Sequence, residues 1–440
     1  MKYVTAGESH GPSLVAIVSG VPAGVAISSV AINDDLARRQ RGYGRGGRMA
    51  IETDTVRILS GLRFGSSLGT PIALQIDNKD WANWSVRMAL EGQPPDGLVL
   101  EQSPRPGHAD LVGALKNDAI DCRNILERAS ARETAARVAA GAVAKAVLAA
   151  FGVEVYSYVT RIGGVTIPQK AIESVRAVFP HDDIESSAVR CPDETASSLM
   201  LAAIDEAKAA GLSLGGCFNV IATGLVPGVG GFAEGSDRLT GRIGGALFSI
   251  PAIKGVEFGL GFKAAALPGN LVHDAIICSL DDARSQDDAR SPGDTRSPDD
   301  TRSAGETRSQ DDARSPDDIR SQDDTHPQNI GKKRIQPVRA TNNAGGLEGG
   351  MTTGEPLVVH AAMKPIPTMQ TPLATVDLVT FEARAASKER GDVCAVPAAA
   401  VVAEAEVALV LADAYLDKFG HDVMSDSLRA FESYVARITR

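Results

Sequence analysis

Apolar residues in this chain fall into short runs separated by glycine-rich and polar turns, with two long exceptions. Leu14–Val18, Ile72–Ile76 and Val358–Met363 are short apolar runs that read as strands. Asp34–Gln40 and Leu201–Ala210 have helical character. Ala131–Phe151 reads as a long alanine-rich helix that stops at Gly152, a suitable C′ residue. Pro397–Phe419 reads as a long apolar helix with proline in its first turn and Gly420 beyond its end. No linker separates two cores, so residues 1–280 and 331–440 are expected to form one domain of compact α/β material.

Residues 281–322 break this pattern. They are seven copies of a hexapeptide, beginning DDARSQ and DDARSP, with an eighth copy decaying into DDTHPQ. The span has twelve acids against seven arginines, one aliphatic residue beyond alanine (Ile319) and no aromatic. It cannot bury enough apolar surface to offset its ordering entropy, and no repeat has the inward-facing apolar position that a solenoid needs. About 281–330 is therefore expected to be a disordered, low-complexity insertion.

Composition narrows the class further. The chain of 440 residues is 43% hydrophobic but only 4% aromatic, and its 44 glycines favour close backbone packing over an aromatic core. No run of 18 apolar residues suggests a membrane span, and the N-terminal stretch lacks the basic-then-apolar order of a secretory leader. The five cysteines are scattered, with no C-x-x-C pair, which argues for a reducing cytoplasm. A formal net charge of −10 argues against a non-specific nucleic-acid coat.

Four polar, glycine-punctuated segments carry candidate chemistry. Gly7-Glu8-Ser9-His10-Gly11 sets a titratable histidine between glycines that let the backbone approach a ligand. Arg38, Arg39, Arg41, Arg45 and Arg48 follow, interleaved with glycines and with no acid between Leu36 and Ile51; guanidinium groups bind carboxylate and phosphate bidentately. Gly42–Gly47 formally matches G-x-G-x-x-G, but it follows an arginine-rich helical stretch rather than a strand, so it is not a dinucleotide fingerprint. Arg105-Pro106-Gly107-His108-Ala109-Asp110 places a second histidine two residues before an acid. Ser130-x-x-Glu133 reads as a capping box opening the long helix, with Arg128 and Arg132 beside its positive end, a ready anion site. After the repeat come Thr341–Gly350, Lys364–Thr368 and Arg390-Gly391-Asp392, in which Asp392 is a candidate base. Each of these segments also has a reading as turn, cap or solvated loop. Jointly they ask for a small, multiply anionic ligand and proton-transfer chemistry. The competing reading is a polyanion or nucleic-acid-binding protein using the Arg-Gly segment, although few aromatics are interleaved to stack bases.

In their order these segments resemble the chorismate synthase family. The matching stretches are AGESHGPSL, ARRQRGYGRGGRM, ILSGLRFG with LGTPIAL, RPGHAD, ERASARETAARVAAGAVAK, SIPAIKGVEFG, TNNAGGLEGGMTTGEP, MKPIPTM and RGDVCAVPAA. They cover the chain except about 281–330. The resemblance implies an α+β fold of mixed layers, central helices between antiparallel sheets, and a homotetramer. It implies anti-1,4 elimination of phosphate from 5-enolpyruvylshikimate 3-phosphate, the last shikimate-pathway step, in the cytoplasm, with no nucleic-acid or membrane partner. The reaction requires reduced FMN without net redox change, the flavin being reduced by NADPH or by a separate flavin reductase.

By the same resemblance His10 protonates the departing phosphate, Asp392 relays the ring proton toward flavin N5, and His108 balances flavin charge. Arg39, Arg45, Arg48, Arg132 and Ser9 are implied to bind substrate or NADP. Flavin contacts carry over to Arg128, Ala129 and Ser130, to Pro251 and Ala252, to Gly349, to Lys364, Pro365, Ile366, Pro367 and Thr368, and to Arg390. Two departures stand out. Many relatives have two serines where this chain has Ala129 and Ser130, so only Ser130 supplies a hydroxyl. Position 251 is often polar, so a contact through Pro251 is limited to backbone.

Overall fold

The first strands form where apolar residues alternate with partly exposed ones. In a computed structural model that describes residues 1–46, 52–177, 179–280, 335–389 and 391–439, β1 (Lys2–Ala6), β2 (Ser13–Ser19), β3 (Val56–Ile58) and β4 (Ile72–Asp77) make an antiparallel sheet ordered β1-β2-β4-β3. The register pairs Leu14 with Ile76 and Val18 with Ile72, so one face of the pleat turns Leu14, Ala16, Val18, Ile72, Leu74 and Ile76 into the core. A second sheet contains β5 (Glu154–Ile162), β6 (Val165–Thr166), β7 (Gly216–Thr223), β8 (Ile253–Phe258) and β9 (Leu357–Met363), in the order β8-β9-β7-β5-β6. All its pairings are antiparallel too. The chain is thus α+β, as the resemblance implies, where periodicity alone suggests only generic α/β material.

Helices lie between the two sheets. Those that matter below are α1 (Ser29–Gln40), α2 (Arg123–Arg128), α3 (Thr134–Ala150), α4 (Leu239–Phe248) and α5 (Val396–Phe419). α3 packs on β2 and β4, α5 packs on β5 and β7, and the two helices pack on each other. α5 is buried on every side, including Val401, Val407, Leu411 and Tyr415, as expected of a helix that is apolar all round. These elements belong to a compact unit of Met1–Ala275 and Arg339–Ile438. Strands Ile276–Leu280 and Ile335–Arg339, which lie outside it but for Arg339, pair with each other. The hexapeptide repeat, Arg48 and Arg390 lie outside the described residues.

The central helices meet at a glycine. A Cβ placed on Gly141 would lie 2.2 Å from the Ala405 Cβ and 2.5 Å from its Cα, so the helices approach as closely as backbones allow. Alanine gains about 1 kcal/mol of helix propensity over glycine, but overpacking against backbone costs roughly 1–3 kcal/mol. Gly141→Ala is therefore expected to lower the urea midpoint of unfolding; a midpoint at or above that of the parent would show that the helices part freely.

Candidate active site

Loops at one end of the helix layer converge on a cleft of about 960 Å³. The Gly7–Gly11 loop forms one wall. Gly7 has φ +105°, and a Cβ there would lie 2.3 Å from the Ser13 carbonyl oxygen, so only glycine fits. Asn78 clamps the loop by donating to the carbonyls of Glu8 and Gly11. His10, at the loop tip, is 8% exposed and lines the cleft. Its Nδ1 lies 2.8 Å from Glu127 Oε1, its backbone N–H donates to Glu127 Oε2 at 2.7 Å, and its ring stacks on Trp84 at 3.9 Å. Ser9 donates through its hydroxyl to Ser130 Oγ at 3.0 Å.

Ser130 also caps a 3₁₀ turn, Ala131–Glu133, that leads into α3, accepting from the Arg132 N–H. The expected capping box is only half formed. Glu133, whose carboxylate would reach back in such a box, instead accepts from the Thr5 hydroxyl and from Arg137.

The arginine-rich segment is not a solvated basic loop. Acids far away in sequence supply the counter-charge that the local stretch lacks: Arg38 pairs with Glu404, Arg39 with Asp54, and Arg45 Nε with Asp392 Oδ2 at 3.0 Å. Arg39 is 3% exposed and donates to Thr134 Oγ1, Asp54 and the Ala131 carbonyl. Arg132 beside it donates to Asn78 Oδ1 and Asp54 Oδ1, with Glu52 3.7 Å away. Burial, opposed by Asp54 but reinforced by the Arg132 and Arg45 charges, pulls Arg39 down to about 10. The guanidinium stays charged at neutral pH, with Arg45 and Arg132 as cationic neighbours and Asp54 as its counter-charge. Eight Arg and Lys side chains line the cleft against four carboxylates.

His108 lies on the cleft wall with Nδ1 2.5 Å from Asp110 Oδ1 and with Arg105 Nη2 beside the ring. Burial opposes ionisation of Asp110, but hydrogen bonds from His108 and Arg105 and the Arg105 charge hold it well below the ordinary carboxylate range. Both oxygens of Asp392 are engaged, one by Arg45 and the other by the Gly46 N–H at 2.7 Å. Lys364 donates to the Gly107 carbonyl, joining the two walls. Ala252, which accepts from the Lys364 N–H, has φ +70°, a left-handed conformation that costs a non-glycine residue energy and here turns the Pro251–Ala252 backbone along the cleft.

The cleft thus gathers Ser9, His10, Arg39, Arg45, His108, Arg128, Ala129, Ser130, Arg132, Pro251, Ala252, Lys364, Ile366, Pro367, Thr368 and Asp392. Two expected residues do not line it. Pro365 sits between two lining neighbours, and Gly349 occupies the turn between strands Leu347–Glu348 and Met351–Thr352, next to Gly350, whose carbonyl accepts from Leu239 at the start of α4. Arg48 and Arg390 fall outside the described residues. Sequence reasoning missed Glu127, Trp84, Asp54 and Thr134. No local signal marks the first three, because each meets its partner across a long chain separation; Thr134 was hidden inside the alanine-rich helix.

Fold and cleft define an α+β protein whose cleft is lined by arginines, Arg39 and Arg132 among them buried, and by two glycine-set histidines. Comparisons with known proteins agree in detail. The chorismate synthase family profile matches residues 1–416. The chorismate synthase of Desulforudis audaxviator is 46% identical over 440 residues, spanning 100% of this chain and 98% of that protein. That of Aquifex aeolicus is 45% identical over 443 residues, with the same coverage. A solved structure described as a crystal structure of chorismate synthase superposes with a TM-score of 0.70 at 37% identity, covering 100% of this chain and 98% of the other. The chain belongs to the chorismate synthase family and is a carbon–oxygen lyase. None of these findings favours the nucleic-acid-binding alternative.

Proposed function

We propose that this chain converts 5-enolpyruvylshikimate 3-phosphate to chorismate and inorganic phosphate by anti-1,4 elimination, with reduced FMN as obligate cofactor and no net redox change. The observation that carries this reading is the convergence of His10 with the buried Arg39 and Arg132 and the half-buried Arg45 on one cleft. The substrate's phosphate and two carboxylates match that surplus of cations.

The cleft also suits a flavin beside the substrate. Its volume of about 960 Å³ lies at the upper end of small-molecule sites. Its lining includes the apolar residues Ile250, Pro251, Ala252, Ile366 and Pro367. Close backbone approach supplies the rest: a Cβ on Gly391 would lie 2.9 Å from Thr368, and one on Gly46 2.9 Å from the Gly391 carbonyl oxygen. Arg128, Ala129, Ser130, Pro251, Ala252 and Lys364–Thr368 are the residues that would hold it. When bound, reduced flavin supplies electron density as the allylic C–O bond breaks.

The protein's own groups do the remaining work. Arg39 and Arg132 orient the phosphate, fixed from behind by Asp54. His10 gives a proton to the departing phosphate oxygen. Asp392, held by Arg45 and Gly46, relays the proton that leaves the substrate ring. Charges fixed before the reaction in a water-poor cleft stabilise developing charge without reorganisation. The proposal includes assembly as a homotetramer in the cytoplasm, and a reductant that is either NADPH acting at this chain or a separate flavin reductase. Among the described residues no helix is long and apolar enough to cross a membrane.

The test is anaerobic incubation of the full chain with chemically reduced FMN and the phosphorylated substrate. Chorismate and phosphate are expected in equal amounts, with a flavin spectral change during turnover. No product and no spectral change would overturn the reading.

A further inference from the structure

His10 is held by a closed ring of contacts that the reaction chemistry does not by itself require. Glu127, with no side-chain exposure, faces it with both carboxylate oxygens, one toward the backbone N–H and one toward Nδ1. Arg123, one turn earlier on α2, donates to the same Glu127 Oε1 at 3.3 Å and to Glu389 at 2.9 Å, and lies over the Trp84 indole at 5.3 Å. Trp84 closes the ring by stacking on the imidazole with planes 26° apart, its own Nε1 donating to Asp80. Main chain, ring edge and ring face of one histidine are thus fixed from three directions.

From this geometry we infer that Glu127 is the positioning residue of His10: it holds the neutral ring as the Nδ1–H tautomer and directs proton exchange with the ligand through Nε2. The inference rests on the reading of His10 as the acid, and deepens it. Two N–H groups of one residue point at two different oxygens, and only a carboxylate accepts both. A Gln at this position would set its NH2 against one of them. The second contact is short as well, with Nδ1 2.8 Å from Oε1, so the ring edge is held as firmly as the main chain. Burial opposes ionisation of Glu127, but hydrogen bonds and charge from His10, together with Arg123, keep its carboxyl below the usual range. Among the described residues, the charged groups about the ring include Glu127 and Arg123 from α2 and, about the indole, Asp80 and Arg87.

The experiment compares Glu127→Gln and Glu127→Asp with the parent, each with reduced FMN. Outer-layer partners of a working histidine are worth roughly 10–100-fold, so E127Q is expected to lower kcat by about that factor, with KM changed less than threefold. E127D, which keeps both acceptor oxygens but withdraws them by one methylene, should recover part of that loss. A kcat of E127Q within threefold of the parent overturns the inference. A 15N NMR measurement on the parent holoenzyme needs no folded variant. The neutral His10 ring, assigned by its absence from His10→Ala, should carry its proton on Nδ1; a proton on Nε2 overturns the inference. Because the tautomer is read without turnover, it separates the two failures: an active His10→Ala sinks the acid assignment alone, whereas the wrong tautomer sinks the positioning role alone.

Discussion

His10→Ala is expected to lower kcat by about a thousandfold, the middle of the 10²–10⁴ range for a positioned general acid, with a much smaller effect on KM. The reason lies in what the substitution leaves in place. Arg39 and Arg132 are held by Asp54, Thr134 and Asn78, none of which contacts His10 through a described hydrogen bond, so the anion-binding corner survives. Glu127 keeps the residue 10 backbone N–H and Arg123 as partners, so its buried charge is not stranded. What disappears is the group that neutralises the leaving phosphate. Steady-state kinetics with reduced FMN, read by phosphate release, decide the matter. A kcat within tenfold of the parent would remove His10 from the acid role.

The parts of this molecule that the sequence displays are those governed by short-range pattern. The runs at Leu14 and Ile72 became neighbouring strands, and the apolar stretch from Pro397 became the buried helix α5, starting one residue earlier at Val396. α1 begins at Ser29, capped by Ser28, rather than near Asp34: its first turn, Ser29-Val30-Ala31-Ile32, buries only Ile32, so the short apolar run carries no helical period that marks the start. Sheet direction was illegible in the residues themselves: β7 pairs with β9, nearly 140 positions downstream, and no local period records that partner. Resemblance, not periodicity, supplied the helices-between-antiparallel-sheets arrangement.

The site was legible in the same uneven way. Glycine-set residues such as His10 and His108 announce themselves, because a ligand-approaching loop needs a backbone that only glycine allows. Counter-charges do not. Asp54 lies 15 residues from Arg39, Glu127 lies 117 from His10, and Glu404 lies 366 from Arg38. The arginines looked unneutralised because, apart from the i,i+3 pair of Arg38 with Asp35, the carboxylates described against Arg38, Arg39 and Arg45 arrive through tertiary structure. The physical consequence is that the basic segment is divided. Arg38 is spent on the core, and Arg39 and Arg45 are turned to the cleft.

That core pairing sets the largest stability effect. Glu404 has no side-chain exposure, and it sits in α5 among alanine and valine. Arg38 grips both its oxygens at 2.8 Å, Lys145 donates at 2.8 Å, the Ser157 hydroxyl at 2.6 Å and Arg190 at 3.3 Å. Burial alone would favour the neutral acid, but the Arg38, Lys145 and Arg190 charges override it and hold the carboxyl far below its ordinary 4.5. Glu404→Gln keeps the volume and removes the charge, leaving three cations with less compensation and an NH2 facing donors. Breaking a buried pair from one side costs roughly 3–5 kcal/mol. For a unit of this size that is a fall of about 5 °C in Tm by calorimetry at fixed scan rate, taking about 2 cal/mol/K per residue. The pH dependence gives a second check. A carboxyl with a depressed folded pKa contributes stability that is fully present above its unfolded value and is lost as pH falls toward the folded one. The parent should therefore lose stability below about pH 4.5 more steeply than E404Q, and the gap between them should narrow as acid is added. A gap below 1 kcal/mol at neutral pH, or one that does not narrow in acid, would show that the cations find other partners, with Asp35 and Glu185 the nearest to hand.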